Sequence, residues 1–163
     1  MEIITHSTDS LFSTRLSTSL GDHLTIAEAQ AEDLPTIALL NDEIFREERI
    51  INSFDRDDLL MLVALYDDEP IGFKIGYREN RFVFYSAKGG VKEAFRGMGV
   101  AKAMLYTMVD RVQQMGYKRL AYDTFPNMHP GMTIMGLREG YSVVRADFNH
   151  AYHDFRIRFE KKL

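Results

Sequence analysis

The sequence predicts an α/β fold in which helices pack on a mixed sheet, and three observations lead to this prediction. Three apolar stretches separated by short turns, at 59–66, 71–77 and 82–91, are typical of an antiparallel meander. Apolar residues then recur every three or four positions over 101–115, which is the period of one helix face. Two closely spaced glycines separate that helix from the last strand of the meander, so the chain must make a special turn between them.

The other elements follow in chain order. An acidic first turn with Pro35 favours a helix start, and Gly116 and Gly140, each followed by a tyrosine, are typical of helix ends. Further strands are predicted at 24–28, 120–124, 142–148 and 152–159, and further helices at 31–44 and 129–137. We also predict a bulge or a close backbone approach at Gly89-Gly90, because glycine weakens a strand unless something needs the space.

The glycine segment reads Arg96-Gly97-Met98-Gly99-Val100-Ala101. A helix that begins directly after such a loop presents unpaired N–H groups and a positive dipole end, which favours binding of an anion, most often phosphate. A Walker A loop is excluded because Val100-Ala101 stands where Lys-Ser/Thr is required. A dinucleotide fingerprint fits poorly because Lys102 occupies the place of the third glycine.

The segment instead resembles the Arg/Gln-x-x-Gly-x-Gly/Ala motif of the GCN5-related N-acetyltransferases, the GNAT family. The resemblance extends from about Leu24 to Phe159 and is strongest over 89–105. It implies a mostly antiparallel sheet of about six to seven strands, splayed at the acetyl-CoA site and flanked by three to four helices.

The resemblance also implies that acetyl-CoA is the co-substrate. In the family, the loop amides wrap the pyrophosphate, the end of the preceding strand binds the pantetheine arm, and residues after the next strand often contact cofactor or acceptor. The cofactor-binding residues implied in this way are Gly90, Val91, Arg96, Gly97, Met98, Gly99, Val100, Ala101, Lys102 and Asn127.

Acetyl transfer needs a deprotonated amine, a donor for the oxyanion and an easy departure of the thiolate. A backbone N–H near Gly90 is our candidate for the oxyanion donor. Tyr85 and Asp123, near strand ends, are candidate catalytic residues, although packing explains a tyrosine there better than catalysis does. Candidate acceptor-binding residues are Glu43, Ser86 and His129. A solvated helix face explains Glu43 better than a substrate role does, and a helix cap explains His129 equally well. Because adjacent strand residues face opposite ways, at most one of Tyr85 and Ser86 can face the acceptor.

One position departs from the family pattern. Many members place a tyrosine that protonates the thiolate where alignment on Gly140-Tyr141 puts Gly136. The general acid is therefore unassigned, and water, another side chain or no acid at all can fill the role.

Composition excludes several function classes. The chain has no cysteine, so it has neither disulfides nor a thiolate metal site, and His150 with His153 alone is a weak pattern, so we predict no metal. A net charge of −4 argues against nucleic-acid binding. No stretch resembles a membrane span or a signal peptide, so we expect a cytoplasmic protein.

Residues 1–23, rich in Ser and Thr, are predicted to be an N-terminal extension, and 24–163 to be a single acetyltransferase domain. The expected partner is a small-molecule amine or a peptide acceptor, and the edge of the closing hairpin can pair with a second copy to form a homodimer. Two functions remain: an enzyme that acetylates a primary amine by direct attack, or an acetyl-CoA-binding sensor without activity, which Gly136 would favour.

Overall fold

The computed structural model describes residues 18–163, and its strands form one sheet in the order β1-β2-β3-β4-β5-β7-β6. Neighbouring strands are antiparallel except β4 and β5, which are parallel. The sequence therefore predicted the mixed, mostly antiparallel sheet correctly. The strands are β1 Leu24–Ala29, β2 Leu60–Tyr66, β3 Glu69–Arg78, β4 Val83–Val91, β5 Arg119–Thr124, β6 Ser142–Asn149 and β7 Asp154–Lys162.

Three α-helices accompany the sheet in the described part of the chain: α1 Leu34–Phe45, α2 Val100–Gln114 and α3 Pro130–Arg138. The first begins later than predicted, because Asp33 accepts a hydrogen bond from the Gln30 N–H and closes a 3-10 turn over Ala31–Asp33. The long helix α2 begins after Gly99, at φ +86°, and is followed by Gly116, at φ +93°. Left-handed glycines thus mark both of its ends, as the sequence indicated.

Helices cover the two faces of the sheet. On one face, α1 packs over β1 to β3, with Ile37 and Leu40 against Val63, Phe73 and Ile75. On the other face, α2 buries an apolar stripe against β2, β4, β5 and β7; the core there includes Leu105, Met108, Val112, Leu62, Phe84, Leu120, Tyr122 and Phe159. The α1 face is open over β4, β5 and β7, where charged and aromatic side chains alternate with the buried ones.

The predicted bulge lies at a different residue. The β3–β4 register passes from Ile75 opposite Lys88 to Gly76 opposite Ser86, so Ala87 is the extra residue. Gly90 instead marks a close approach by side chains of α1: a Cβ there would lie 2.8 Å from Ile44 and 2.9 Å from Phe45. Glycine is required at 90 by helix packing.

The outer strand β6 carries Val143 and Val144 with about half of their surface exposed. Pairing of this edge with a second copy stays a prediction. No helix in the described part of the chain combines the length and apolar character needed to cross a membrane.

Lys74 of β3 is an unexpected member of the core, with only 6% of its surface exposed. Burial lowers its pKa from 10.5 to about 8, because the charged form loses its hydration. The unfolded chain therefore keeps this proton up to a higher pH than the folded chain does. As a result, the charged Lys74 lowers the free energy of unfolding by its full amount below pH 8, and this destabilisation decreases as the pH rises above 8.

We therefore expect Lys74→Met to be more stable than the wild type at pH 7, and its advantage to shrink by roughly 2 kcal/mol between pH 8 and pH 9.5. Urea unfolding of both proteins across that range measures the difference. A difference that does not change with pH would contradict the burial of a charged Lys74.

Candidate active site

The parallel strands β4 and β5 part from each other inside the sheet. They are paired only from Val83–Arg119 to Ser86–Tyr122, whereas β4 continues to Val91 along β3. The Lys92 N–H donates to the Ile71 carbonyl at 2.8 Å, so by alternation the backbone groups of Gly90 face β3. Those of Gly89 and Val91 face the gap, which we call the seam. Near Gly90, the N–H groups that face the seam and could serve as the expected oxyanion donor are therefore those of Gly89 and Val91.

The glycine loop continues directly from this strand end and brings free N–H groups together. Gly97 and Gly99 have φ values of +74° and +86°, which only glycine adopts without strain. The first helical hydrogen bond is donated by the Ala103 N–H to the Gly99 carbonyl at 2.9 Å. Within residues 18–163, none of the N–H groups of 97–102 donates to a backbone carbonyl. These six donors, which we call the cradle, suit an anion.

Side chains around the cradle are already engaged. Arg96 Nε donates to the Val91 carbonyl at 3.1 Å and so ties the loop to the end of β4. Lys102 lies 3.1 Å from Glu139, whose hydrogen bond and charge raise the pKa of Lys102, and Tyr106 also donates to Glu139. Recognition of an anion would therefore rest mainly on backbone groups.

The predicted N-terminal extension reaches this loop at its described end. A Cβ on Gly99 would lie 3.3 Å from Thr18 Cγ2. The prediction for residues 1–17 lies outside the described residues.

The two candidate catalytic residues contact each other on the open α1 face. Tyr85 Oη donates to Asp123 Oδ2 at 2.6 Å. Burial and this hydrogen bond raise the pKa of Tyr85, so its phenol stays protonated at neutral pH. The other oxygen, Asp123 Oδ1, is buried and has no hydrogen-bond partner among the described residues. Asp123 Oδ1 is therefore an unpaired hydrogen-bond acceptor among the described residues.

Three residues that the sequence analysis missed surround this pair. The Tyr77 ring lies 5.8 Å from that of Tyr85, and the guanidinium of Arg56 stacks 4.2 Å from the Tyr77 ring. Arg158, opposite Asp123 on β7, donates to Glu79 at 2.7 Å. The alternation of residues along β3 could have indicated Tyr77. The positions of Arg56 and Arg158 near the pair depend on which segments become neighbours in the fold, and the sequence alone does not show this.

The other candidate side chains are dispersed. Ser86 is 6% exposed and faces α2, on the side of the sheet opposite to Tyr85, so it is Tyr85 that faces the open cleft. Glu43 lies 3.3 Å from Lys92, at a shallow cavity of about 540 Å³ whose other lining residues are Glu69, Glu93, Ala94 and Phe95. Neither Tyr85 nor Asp123 lines that cavity.

Asn127 and His129 follow β5, as predicted. Asn127 Nδ2 donates to Asp154 Oδ1 at 2.8 Å, which ties the end of β5 to the closing hairpin. His129 occupies the N-cap position of α3 without a capping hydrogen bond from its side chain. Both side chains are exposed, and neither contacts the Tyr85–Asp123 pair.

The two histidines of the hairpin pack around one aromatic ring. The ring centroids of His150 and His153 lie 5.1 Å and 6.3 Å from that of Phe148. Residues 18–163 contain no cluster of three or more His, Asp or Glu side chains arranged to hold a metal ion.

The structure explains why a glycine stands at 136. A Cβ there would lie 2.1 Å from the Tyr122 hydroxyl, which occupies the space that a side chain at 136 would need. That hydroxyl donates to the Met132 carbonyl at 2.9 Å, and burial raises the pKa of Tyr122. A tyrosine at 136 is therefore incompatible with Tyr122 in this position.

Comparison with known proteins gives a consistent result. The model of the acetyltransferase (GNAT) family matches residues 24–132, about two thirds of the chain. A sequence search of curated proteins finds no match.

Many solved structures share the fold. The IAA acetyltransferase from Bacillus cereus is 20% identical, with a TM-score of 0.74, over 86% of this chain and 99% of its own. A GNAT family acetyltransferase from Elizabethkingia anophelis with acetyl-CoA bound is 18% identical, with a TM-score of 0.73, over 87% and 99%. Arabidopsis thaliana Naa50 in complex with the bisubstrate analogue CoA-Ac-MVNAL is 14% identical, with a TM-score of 0.72, over 86% and 99%.

The contact between positions 136 and 122 yields a stability prediction. We expect Gly136→Ala to destabilise the protein by about 1–3 kcal/mol, because the new methyl group meets the Tyr122 hydroxyl. Tyr122→Phe alone should cost about 1 kcal/mol through the lost hydrogen bond to Met132. Together the two changes should cost less than their sum, which a double-mutant cycle by urea unfolding measures. Strict additivity would contradict the steric explanation.

Proposed function

The chain belongs to the GNAT family of acetyltransferases, with acetyl-CoA as its co-substrate, and on that premise we propose that it transfers the acetyl group to a primary amine by direct attack in a ternary complex. The observation that carries the proposal is the continuity of the seam with the cradle. One long ligand with an anionic end can follow both, from the parted strands to the start of α2.

The chain's own groups suit acetyl-CoA along its length. Free N–H groups of 97–102 would hold the pyrophosphate through hydrogen bonds and the helix dipole. The seam-facing backbone groups of Gly89 and the N–H of Val91 would pair with the amide groups of the pantetheine arm, as an added strand pairs with a sheet edge, while the Val91 carbonyl accepts from Arg96 Nε. This arrangement uses backbone donors that otherwise lack partners.

We assign the acceptor to the open face that carries Tyr85 and Asp123. The Asp123 carboxylate would accept an N–H of the amine and take its proton as the new C–N bond forms; its unpaired Oδ1 is covered in the unliganded structure and must become accessible when the acceptor binds. Tyr85, whose phenol donates to Oδ2, would hold the carboxylate in place. A seam-facing N–H of Gly89 or Val91 would stabilise the oxyanion, and placing both substrates in one cleft supplies much of the rate.

The acceptor is an amine or a peptide. The rings of Tyr77 and Tyr85 lie next to Asp123, but Arg56 and Arg158 already lie 4.2 Å and 5.7 Å from them, so the Asp123 carboxylate is the group that would attract an amine. The structure of Naa50 was solved with a peptide-bearing analogue, so a peptide acceptor in the same cleft belongs in any test.

The proposal is tested by mixing the protein with acetyl-CoA and polyamines, amino acids, aminoglycosides or short peptides, and by following release of the CoA thiol. Release that depends on one amine class, with the acetylated product identified by mass, supports the enzyme and gives its acceptor. Acetyl-CoA binding by calorimetry without release for any amine would favour the sensor instead, an alternative that the glycine at 136 supports.

Substitution in the cradle should weaken acetyl-CoA binding. Gly99→Val cannot keep φ at +86° without strain and would displace the converging N–H groups, so we expect affinity to fall at least about tenfold. Gly116→Val is the matched control, since Gly116 has φ +93° and open surroundings at the other end of α2. Calorimetry should find its affinity unchanged within about twofold. Retained binding by Gly99→Val would refute the cradle assignment.

Substitution of the proposed proton acceptor should affect turnover rather than binding. Asp123→Asn keeps the size of the side chain but lowers its basicity, so we expect kcat to fall about 100-fold with acetyl-CoA affinity unchanged. Asp110→Asn is the control, because Asp110 lies in α2, which covers the opposite face of the sheet. Equal kcat values in steady-state assays of Asp123→Asn and the wild type would remove Asp123 from the mechanism.

A further inference from the structure

Lys74 is a buried cation that the scheme above does not use. It forms no hydrogen bond or ion pair with any of residues 18–163, and it is 6% exposed. An ammonium without a partner is costly to bury, and a methionine or leucine would fill the same space at less cost. A role other than packing would account for the charge.

The neighbours of Lys74 place it beneath α2. Gly72 and Gly76 lie two residues away on the same face of β3, where added Cβ atoms would lie 3.3 Å and 3.2 Å from Met104 Cε and Met108 Cε of α2. Leu62 faces Lys74 from β2. None of these neighbours carries a titratable group, and the lowered pKa of Lys74 is caused by burial alone.

On the other side, Lys74 is paired with Gly89 of β4. A Cβ on Gly89 would lie 3.2 Å from Lys74 Cγ, so the lysine stem occupies the space above this glycine and leans toward β4. Neighbouring strands are about 4.8 Å apart, a distance that the four-carbon stem of a lysine can cross. A stem in this position is long enough to bring the ammonium to the seam, beside the backbone of Gly89.

The mechanism also lacks a proton donor for the departing thiolate. Gly136 has no side chain, and the Tyr122 hydroxyl that fills its place is committed to the Met132 carbonyl. Building on the acetyl transfer proposed above, we propose that Lys74 is this donor: its ammonium protonates the sulfur of CoA from the α2 side of the seam.

The step balances without a further reactant. The amine nitrogen forms a bond to the acetyl carbon, and its proton passes to Asp123 or water. When the tetrahedral intermediate collapses, the C–S bond breaks and its electron pair stays on sulfur, which takes a proton from Lys74 Nζ. Neutral Lys74 then regains a proton from solvent once the thiol has left.

The chemistry of Lys74 suits this role. Burial lowers its pKa to about 8, and a general acid works best when its pKa lies near the working pH. Because the ammonium is the active form, the donor is available below pH 8 and is lost as the pH rises above it.

The test compares kcat for the wild type, Lys74→Met and Lys74→Arg from pH 6.5 to 9.5, with the amine found in the panel assay. We expect the wild-type kcat to fall above about pH 8, and Lys74→Met to lose about 100-fold of kcat together with this alkaline limb. Its acetyl-CoA affinity by calorimetry should match the wild type. Lys74→Arg keeps the charge but cannot release a proton, so it should lose a similar factor.

If Lys74→Met has the same kcat and the same pH profile as the wild type, Lys74 is not the proton donor. The proposed acetyl transfer would not be affected by that result. Full activity in Lys74→Arg would show that only the positive charge at this position is needed, and it would also overturn proton donation by Lys74. A wild-type kcat without an alkaline limb overturns the proposal even if both variants fail to fold. A wild type that acetylates no amine overturns the proposed function, and the role of Lys74 falls with it.

Discussion

The arrangement of the site depends on one constraint: β4 and β5 share only four residue pairs before they part. Each strand is held on its outer side, β4 by β3 as far as Val91 and β5 by β7 along its whole length. The stripe of α2 that packs beneath both strands keeps the sheet together below the gap. What remains is an edge of unpaired backbone inside the sheet, which is costly unless a ligand pairs with it.

The same parting joins the pieces of the site. It leaves the end of β4 free to enter the glycine loop, whose donors lie at the start of α2. The gap is bordered by two different faces of the sheet. Tyr85 and Asp123 lie on the charged and aromatic α1 face, and Lys74 and Tyr122 are buried on the apolar α2 face. A thioester in the seam would meet the first through its carbonyl carbon and the second through its sulfur.

The sequence predicted the strands, the helices and the glycine loop before α2, because periodicity and glycine motifs are local signals. Which residues bind acetyl-CoA stays a prediction. Details that depend on neighbours were harder to predict. A bulge or a close approach was expected at Gly89-Gly90. The bulge lies at Ala87, a residue type without a bulge signature, and Gly90 marks a close approach to α1. Tyr85 and Asp123 were selected separately, but their contact follows from the β4–β5 register. Gly136 is explained by the hydroxyl of Tyr122, which lies fourteen positions earlier in the chain, on β5. The burial of Lys74 has no signal in the sequence, because strand lysines are usually exposed.

Whether the seam and the cradle form one site is tested most directly by amide NMR of the protein during titration with acetyl-CoA. We expect the amides of Gly89, Val91 and residues 97–102 to shift together and to become protected from hydrogen exchange, while those on the outer strands β1 and β6 do not change. Protection concentrated at other strands, or binding that leaves the amides of 97–102 unprotected, would contradict the central claim that the seam and the cradle form one site.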